Sequence, residues 1–177
     1  IKKLYTSVIG KQWDIIHKIP QSGGDRMYFR ISNDNQSYIA TYSLNVKEND
    51  TFIYFADHFH SKGLPVPQVL GINEQRTVYL QNDLGNTSLL DVLEKEGKTE
   101  HVFELFKKSL QGLVQLQIRG AIGLDYNKCL TSKEFGKQAI MTDLLYYKYY
   151  FLDTLQYPYD KQALMNELEH LSDAMSS

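Results

Sequence analysis

The sequence predicts an α+β fold, a five-stranded antiparallel sheet with one inserted helix followed by helices alone, and three observations predict it. The first third alternates aromatic and β-branched residues between turn-forming clusters. One apolar stripe of helical period interrupts the strands after the third of them. Beyond Gly85 every periodic segment has helical spacing. The resulting order is βββαββ and then only helices.

Residues 13–19, 27–32 and 36–44 read as the first three strands, separated by SGGDR and SNDNQ, both strong turn compositions. Asn49-Asp50-Thr51 offers helix-capping chemistry, and Phe52, Phe55, Ala56 and Phe59 follow at i, i+3, i+4 and i+7 up to Gly63. Pro65 and Pro67 then exclude helix, and the short apolar runs 69–72 and 77–80 read as strands four and five. Past Gly85, residues 88–95 predict a short helix. Residues 100–119 predict a long one, with Val102, Leu105, Phe106, Leu110, Leu113, Val114 and Leu116 on its stripe, and 133–155 and 161–174 predict two more. No repeat or low-complexity tract occurs.

With 177 residues, 42% hydrophobic and 23% charged, the chain has the composition of an ordinary globular protein. A formal net charge of -2 and a pI near 6.2 provide no basic field for a polyanion, so nucleic acid is not expected as a partner. No apolar run approaches the roughly 18 residues of a membrane span, so no membrane is expected either. A single cysteine, Cys129, excludes an internal disulfide framework and fits a reducing, cytoplasmic setting. The start at Ile1 and the helical end at Met175-Ser176-Ser177 lead us to expect a piece of a longer chain.

SGGDRMYFRI, GLPVPQVL and VYLQNDLGNTSLLDVL, together with the element order, resemble the aminoglycoside phosphotransferase and choline kinase superfamily of protein-kinase-like enzymes. Within it, the chain most resembles a bacterial branch of predicted sugar kinases related to N-acetylmuramate/N-acetylglucosamine kinases. The resemblance implies a protein-kinase-like small lobe over residues 1–82, and a hinge with the beginning of a helical large lobe over 83–177. It implies ATP and Mg, with the metal ligands expected beyond residue 177, and a small hydroxyl-bearing acceptor, a sugar or amino sugar. The alternatives are a non-catalytic pseudokinase or nucleotide-binding module, and a β-meander adaptor in which SGGDR is only a turn. Nothing in the sequence sets the oligomeric state.

The same resemblance assigns candidate nucleotide-binding residues. Ser22, Gly23, Gly24 and Asp25 would form the loop over the phosphates, where missing side chains let backbone N–H groups approach the oxygens. A plain hairpin turn is the competing reading. Leu80 would lie behind the adenine, with the Gln81 carbonyl and the Asp83 N–H meeting the base. Asp83-Leu84-Gly85 looks like a metal-binding triplet, but it precedes the large-lobe helices, so Asp83 is not assigned to metal. Strand alternation puts Arg26, Tyr28 and Arg30 on one face and Met27, Phe29 and Ile31 on the other.

Two departures qualify the resemblance. The third-strand lysine that holds phosphates is absent, its position falling near Ala40 or Thr41. Glu48 is then either its partner acid or a solvated charge favoured by the helix dipole. Arg26 or Arg30 is expected to take over the phosphate charge. Second, no His-x-Asp occurs anywhere in the chain, so no catalytic residue is assigned and the chain alone is expected to be inactive.

Other candidates carry less. His58 and His60 are two apart on a helix, the wrong spacing for a zinc pair. The aromatic run at 146–151 could line a sugar pocket or pack between lobes, and Asp143 could bind a substrate hydroxyl or stand solvated. Cys129 has no basic or histidine neighbour in sequence to activate it beyond Lys128.

Overall fold

The computed structural model describes residues 1–21, 24–33 and 36–176. It begins with a helix that the strand-centred reading passed over, α1 (Lys2–Ile9). Leu4, Tyr5, Val8 and Ile9 recur at helical spacing, and Gly10, at φ 72°, closes the helix by donating its N–H to the Thr6 carbonyl. Then come β1 (Ile15–Lys18), β2 (Met27–Asn33), β3 (Gln36–Tyr42), α2 (Val46–Ser61), β4 (Val69–Ile72) and β5 (Val78–Asn82). The expected βββαββ order is present, and the five strands form one antiparallel sheet in the order β1-β2-β3-β5-β4.

Register sorts the side chains into two faces. The cross-strand rows Phe29–Ala40–Leu80 and Tyr42–Val78 lie on one face, together with Ile31. This face is the core: Leu4 and Tyr5 of α1 close over Ile31, Ala40, Val78 and Leu80. Gly71 of β4 makes the close approach possible, because a Cβ there would stand 2.5 Å from a methyl of Val8. The opposite face carries Tyr28, Arg30, Ile39, Thr41, Tyr79 and Gln81, and α2 covers part of it by stacking Phe52 on Tyr79 at 5.0 Å.

The cap of α2 lies four residues earlier than the sequence suggests. Asn45 accepts the Glu48 N–H and starts the helix, while Asn49 is fully buried and donates through Nδ2 to the carbonyls of Ser43 and Arg76. The helical stripe therefore extends backward by one turn, and Asn49 does interior work that its residue type conceals.

After β5 come α3 (Leu89–Glu96), with a Ser88–Asp91 capping box, and α4 (Glu100–Ala121), capped by Thr99. The C-terminal end of α4 packs on α2, with Gly120 against the Phe59 ring and its carbonyl accepting from His58 Nε2 at 2.7 Å. Of the stripe expected to face a core, Val102 is buried, whereas Phe106, Leu110, Leu113 and Val114 are exposed. All of this belongs to a compact unit, Ile1–Leu130.

A second unit, Thr131–Ser177, holds α5 (Lys137–Tyr150) and α6 (Lys161–Ser176). The helix expected over 133–155 is shorter, because the chain leaves α-geometry at Phe151 for a 3-10 turn at Leu152–Leu155. Lys148 is buried on the inner side of this turn, bonded to Asp153 at 3.0 Å, and Tyr159 donates to the same carboxylate. The Asp153 bond holds the Lys148 pKa above its ordinary value despite desolvation. Among the described residues, no helix is long and apolar enough to cross a membrane.

Candidate functional site: two arginines on one sheet face

Arg26 and Arg30 both reach the face covered in part by α2, and they meet different acids. Arg26, at the start of β2, crosses to α2, where Nη2 lies 2.8 Å from Glu48 Oε1. Its guanidinium stands 5.6 Å from the Phe52 ring centroid. Its Nε is buried with no acceptor among the described residues. Glu48 sits in the first turn of α2, where the helix dipole favours a carboxylate, and Asn45 fixes that turn.

Around this pair opens a cavity of about 700 Å³ lined by residues 24–28, 42–45 and Glu48. Gly24 takes a left-handed φ of 75°, which turns the chain into β2, and its carbonyl accepts from Gln21 Nε2 at 2.7 Å. Asp25 is exposed at the rim. Ser22 and Gly23 lie outside the described residues. Of the two positions considered for the missing lysine, Ala40 belongs to the α1 face and Thr41 to the α2 face, next to Tyr79. Burial raises the Tyr79 pKa, against lowering by the neighbouring Thr41 hydroxyl and the nearby Arg26 charge, while Tyr28 and Glu48 raise it further. The phenol thus belongs to the Arg26–Glu48 cluster and stays protonated.

Arg30 is differently engaged. Its Nε donates to Asp83 Oδ2 at 2.5 Å, and Nη2 donates to Asp83 Oδ1 and to the Gly85 carbonyl, each at 3.1 Å. Asp83 also accepts from Ser37 Oγ at 2.8 Å and the Gly85 N–H at 2.9 Å. Its side chain is 4% exposed. Desolvation pushes this carboxyl's pKa up, but the bonds from Arg30, Gly85 and Ser37 outweigh it and hold it below the ordinary value. The sequence reading gave Asp83 a role through its backbone N–H, and its side chain in addition joins β2, β3 and the segment after β5.

Leu80, expected behind a base, is 0% exposed in the α1-side core, on the face opposite Arg30. Its neighbour Gln81 lies on the arginine face, across from Ile39 and Val69, with a buried Oε1 that finds no donor among the described residues. Sequence reasoning missed Ser37 and Tyr79, and it named Thr41 only as a position for the lysine and Asn49 only as a cap. The alternation that placed Arg26 and Arg30 on one face also implies Ser37 and Thr41 on the matching face of the next strand once the turn is counted, which is the signal that could have found them.

The other candidates settle into local roles. His58 is bonded to Gly120, and the rings of Tyr146 and Tyr150 stack at 4.4 Å, as do Tyr147 and Phe151 at 5.3 Å, along an open surface beside Asp143. Cys129 is a part-buried free thiol beside Lys47, Arg76 and Lys128 in a separate hollow. A groove of about 580 Å³ between α3 and α4 is lined mostly by Leu, Val and Pro side chains with Lys108 as its charged group. The Arg26 cavity differs in setting a cation with a spare buried donor beside a glycine turn. Among the described residues, no group of three or more His, Cys, Asp or Glu side chains is arranged to hold a metal ion.

No protein-family model matches the chain, and no curated protein matches it. Among solved structures, the chain is similar to the crystal structure of a thermostable mutant of aminoglycoside phosphotransferase APH(4)-Ia, apo form, with a TM-score of 0.42 and 18% identity over 54% of this chain. The match covers 33% of that chain, so this protein spans about a third of the length of the structure it matches.

Proposed function

We propose that this chain is the nucleotide-binding part of an ATP-dependent kinase-like phosphotransferase acting on a small hydroxyl-bearing acceptor, a sugar or amino sugar. The observation that carries the proposal is the Arg26–Glu48 pair at the cavity behind Gly24. In kinase-like enzymes a third-strand lysine pairs with a helix glutamate and neutralises phosphate. Here Thr41 stands on the third strand, and the cation comes from the neighbouring strand to the helix glutamate instead.

The side chains fit a triphosphate by their own chemistry. Glu48 holds one end of the Arg26 guanidinium, the Phe52 ring lies against it, and Nε has no acceptor among the described residues, so the guanidinium has donor capacity left for an anionic oxygen. The backbone at Gly24 and Asp25 is open to the cavity. Residues 1–82 would form the small lobe, with Gln81 and Asp83 offering backbone groups to the base. A bound Mg-ATP supplies the transferable phosphoryl group. This chain's residues contribute charge and position.

The test is ATP binding by calorimetry to the wild-type chain, Arg26→Ala and Glu48→Gln. Both variants should weaken binding, Arg26→Ala by about tenfold or more on the scale of one charge-assisted hydrogen bond. Full affinity in Arg26→Ala sinks the reading. The lack of any His-x-Asp in 177 residues favours a second reading, a nucleotide-binding module that transfers no phosphate. An assay of phosphate transfer to amino sugars by the product of the complete coding sequence separates the two: transfer supports the kinase, and its absence supports the module.

A further inference from the structure

We propose that Arg30 and Asp83 are a positioning pair that holds the backbone of residues 81–85 as a platform for the nucleobase, and that Arg30 takes no part in binding phosphate. The inference rests on the nucleotide-binding reading above and divides its two arginines between two ends of the ligand.

The first argument is saturation. Three donor bonds of Arg30 are committed, two to Asp83 and one to the Gly85 carbonyl, and its charge is matched by a carboxylate at 2.5 Å. Arg26 keeps a buried Nε donor with no acceptor among the described residues. An arginine forked on a carboxylate is held in orientation and offers little net charge to a second anion.

The second argument is location. Asp83 is the first residue past β5, where ladder bonding ends and backbone groups become available to something else. Its carboxylate gathers Arg30 from β2, Ser37 from β3 and the N–H of Gly85 two residues on. These bonds span strands that are not all sheet neighbours, so they fix the direction in which the chain leaves the sheet. Gly85 at φ 100° then turns the chain away. Gln81, on the same face, adds a buried Oε1 that finds no donor among the described residues.

The test compares two probes of the 177-residue chain, adenosine and inorganic tripolyphosphate, with ATP as reference. Asp83→Asn and Arg30→Lys should each raise the Kd for adenosine and ATP by about tenfold and leave tripolyphosphate within about twofold, with Arg26→Ala showing the reverse pattern. A loss of packing alone would not split the probes. Tripolyphosphate binding that weakens with Arg30→Lys overturns the proposal, as does unchanged adenosine binding in the folded variants. Should Asp83→Asn fail to fold by circular dichroism, Ser37→Ala removes a single exposed donor; it must weaken adenosine in the same direction, and no change overturns the proposal. Wild-type binding of tripolyphosphate without adenosine overturns this inference and leaves the phosphate reading standing. Binding of neither probe overturns both.

Discussion

The two faces of the sheet are made from the same strands, residue by alternating residue, and they have opposite chemistry. The α1 face is a closed apolar surface in which Leu4, Tyr5, Ile31, Ala40, Val78 and Leu80 exclude water. The α2 face carries two arginine–acid pairs, a buried phenol and a glutamine oxygen that has no donor among the described residues. Hydrophobic burial on one side lets the sheet tolerate polar groups on the other, where a single unpaired buried polar atom costs about 1–3 kcal/mol. The lesson is a division of labour across a few ångströms: one face holds the fold, and the other can be spent on a ligand.

The largest effect should come from the closed face. Leu80→Ala empties a wholly buried site and should destabilise the chain by about 2–5 kcal/mol in urea denaturation. The folded fraction should retain its preference between adenosine and tripolyphosphate, and a change in that preference would mean that the faces are not separate. Next comes Arg26→Ala, expected to lose about tenfold in ATP affinity. Its pair with Glu48 is part-exposed, so thermal stability should move by less than about 1 kcal/mol. A collapse in stability would make Arg26 a structural residue and blur the contrast.

Smaller still, Asn45→Ala removes the α2 cap and should cost about 1 kcal/mol. It should also loosen Glu48 in the first turn, so a modest fall in ATP affinity is expected with it. The smallest effect concerns acid. Because the folded Asp83 carboxyl titrates below its ordinary 3.8, its contribution is present above that value and is lost as pH falls through the lower folded value. Asp83→Asn should therefore make stability less steep in pH below about 4, while leaving the slope near neutrality unchanged. An unaltered acid limb would show that the carboxylate is no better held in the folded chain than in the unfolded one.

Much of this was legible before any coordinates. Strand periodicity placed Arg26 and Arg30 opposite Phe29 and Ile31, and the two prolines after Gly63 separated α2 from β4. What stayed hidden depends on long-range partners. Arg30 and Asp83 are 53 positions apart, and nothing local tells a phosphate-binding arginine from one forked on a carboxylate. Asn49 looked like a cap because asparagine favours caps, yet tertiary acceptors at Ser43 and Arg76 drew it inside. Leu80 packs in the α1-side core while Gln81, one step along β5, lies on the arginine face, a split that no local pattern in the segment announces.

Asn49 also decides what kind of movement α2 can make. It follows Glu48 directly, and its amide ties the helix both to the end of β3 and to the turn that leads into β5. A rotation that swung Glu48 away from Arg26 would have to break both bonds in a dry interior or carry the β4–β5 hairpin along with the helix. An in-and-out swing of this helix therefore costs two buried hydrogen bonds. The contact between Arg26 and Glu48 is thereby braced by the residue next to Glu48, from an interior that the cavity does not reach.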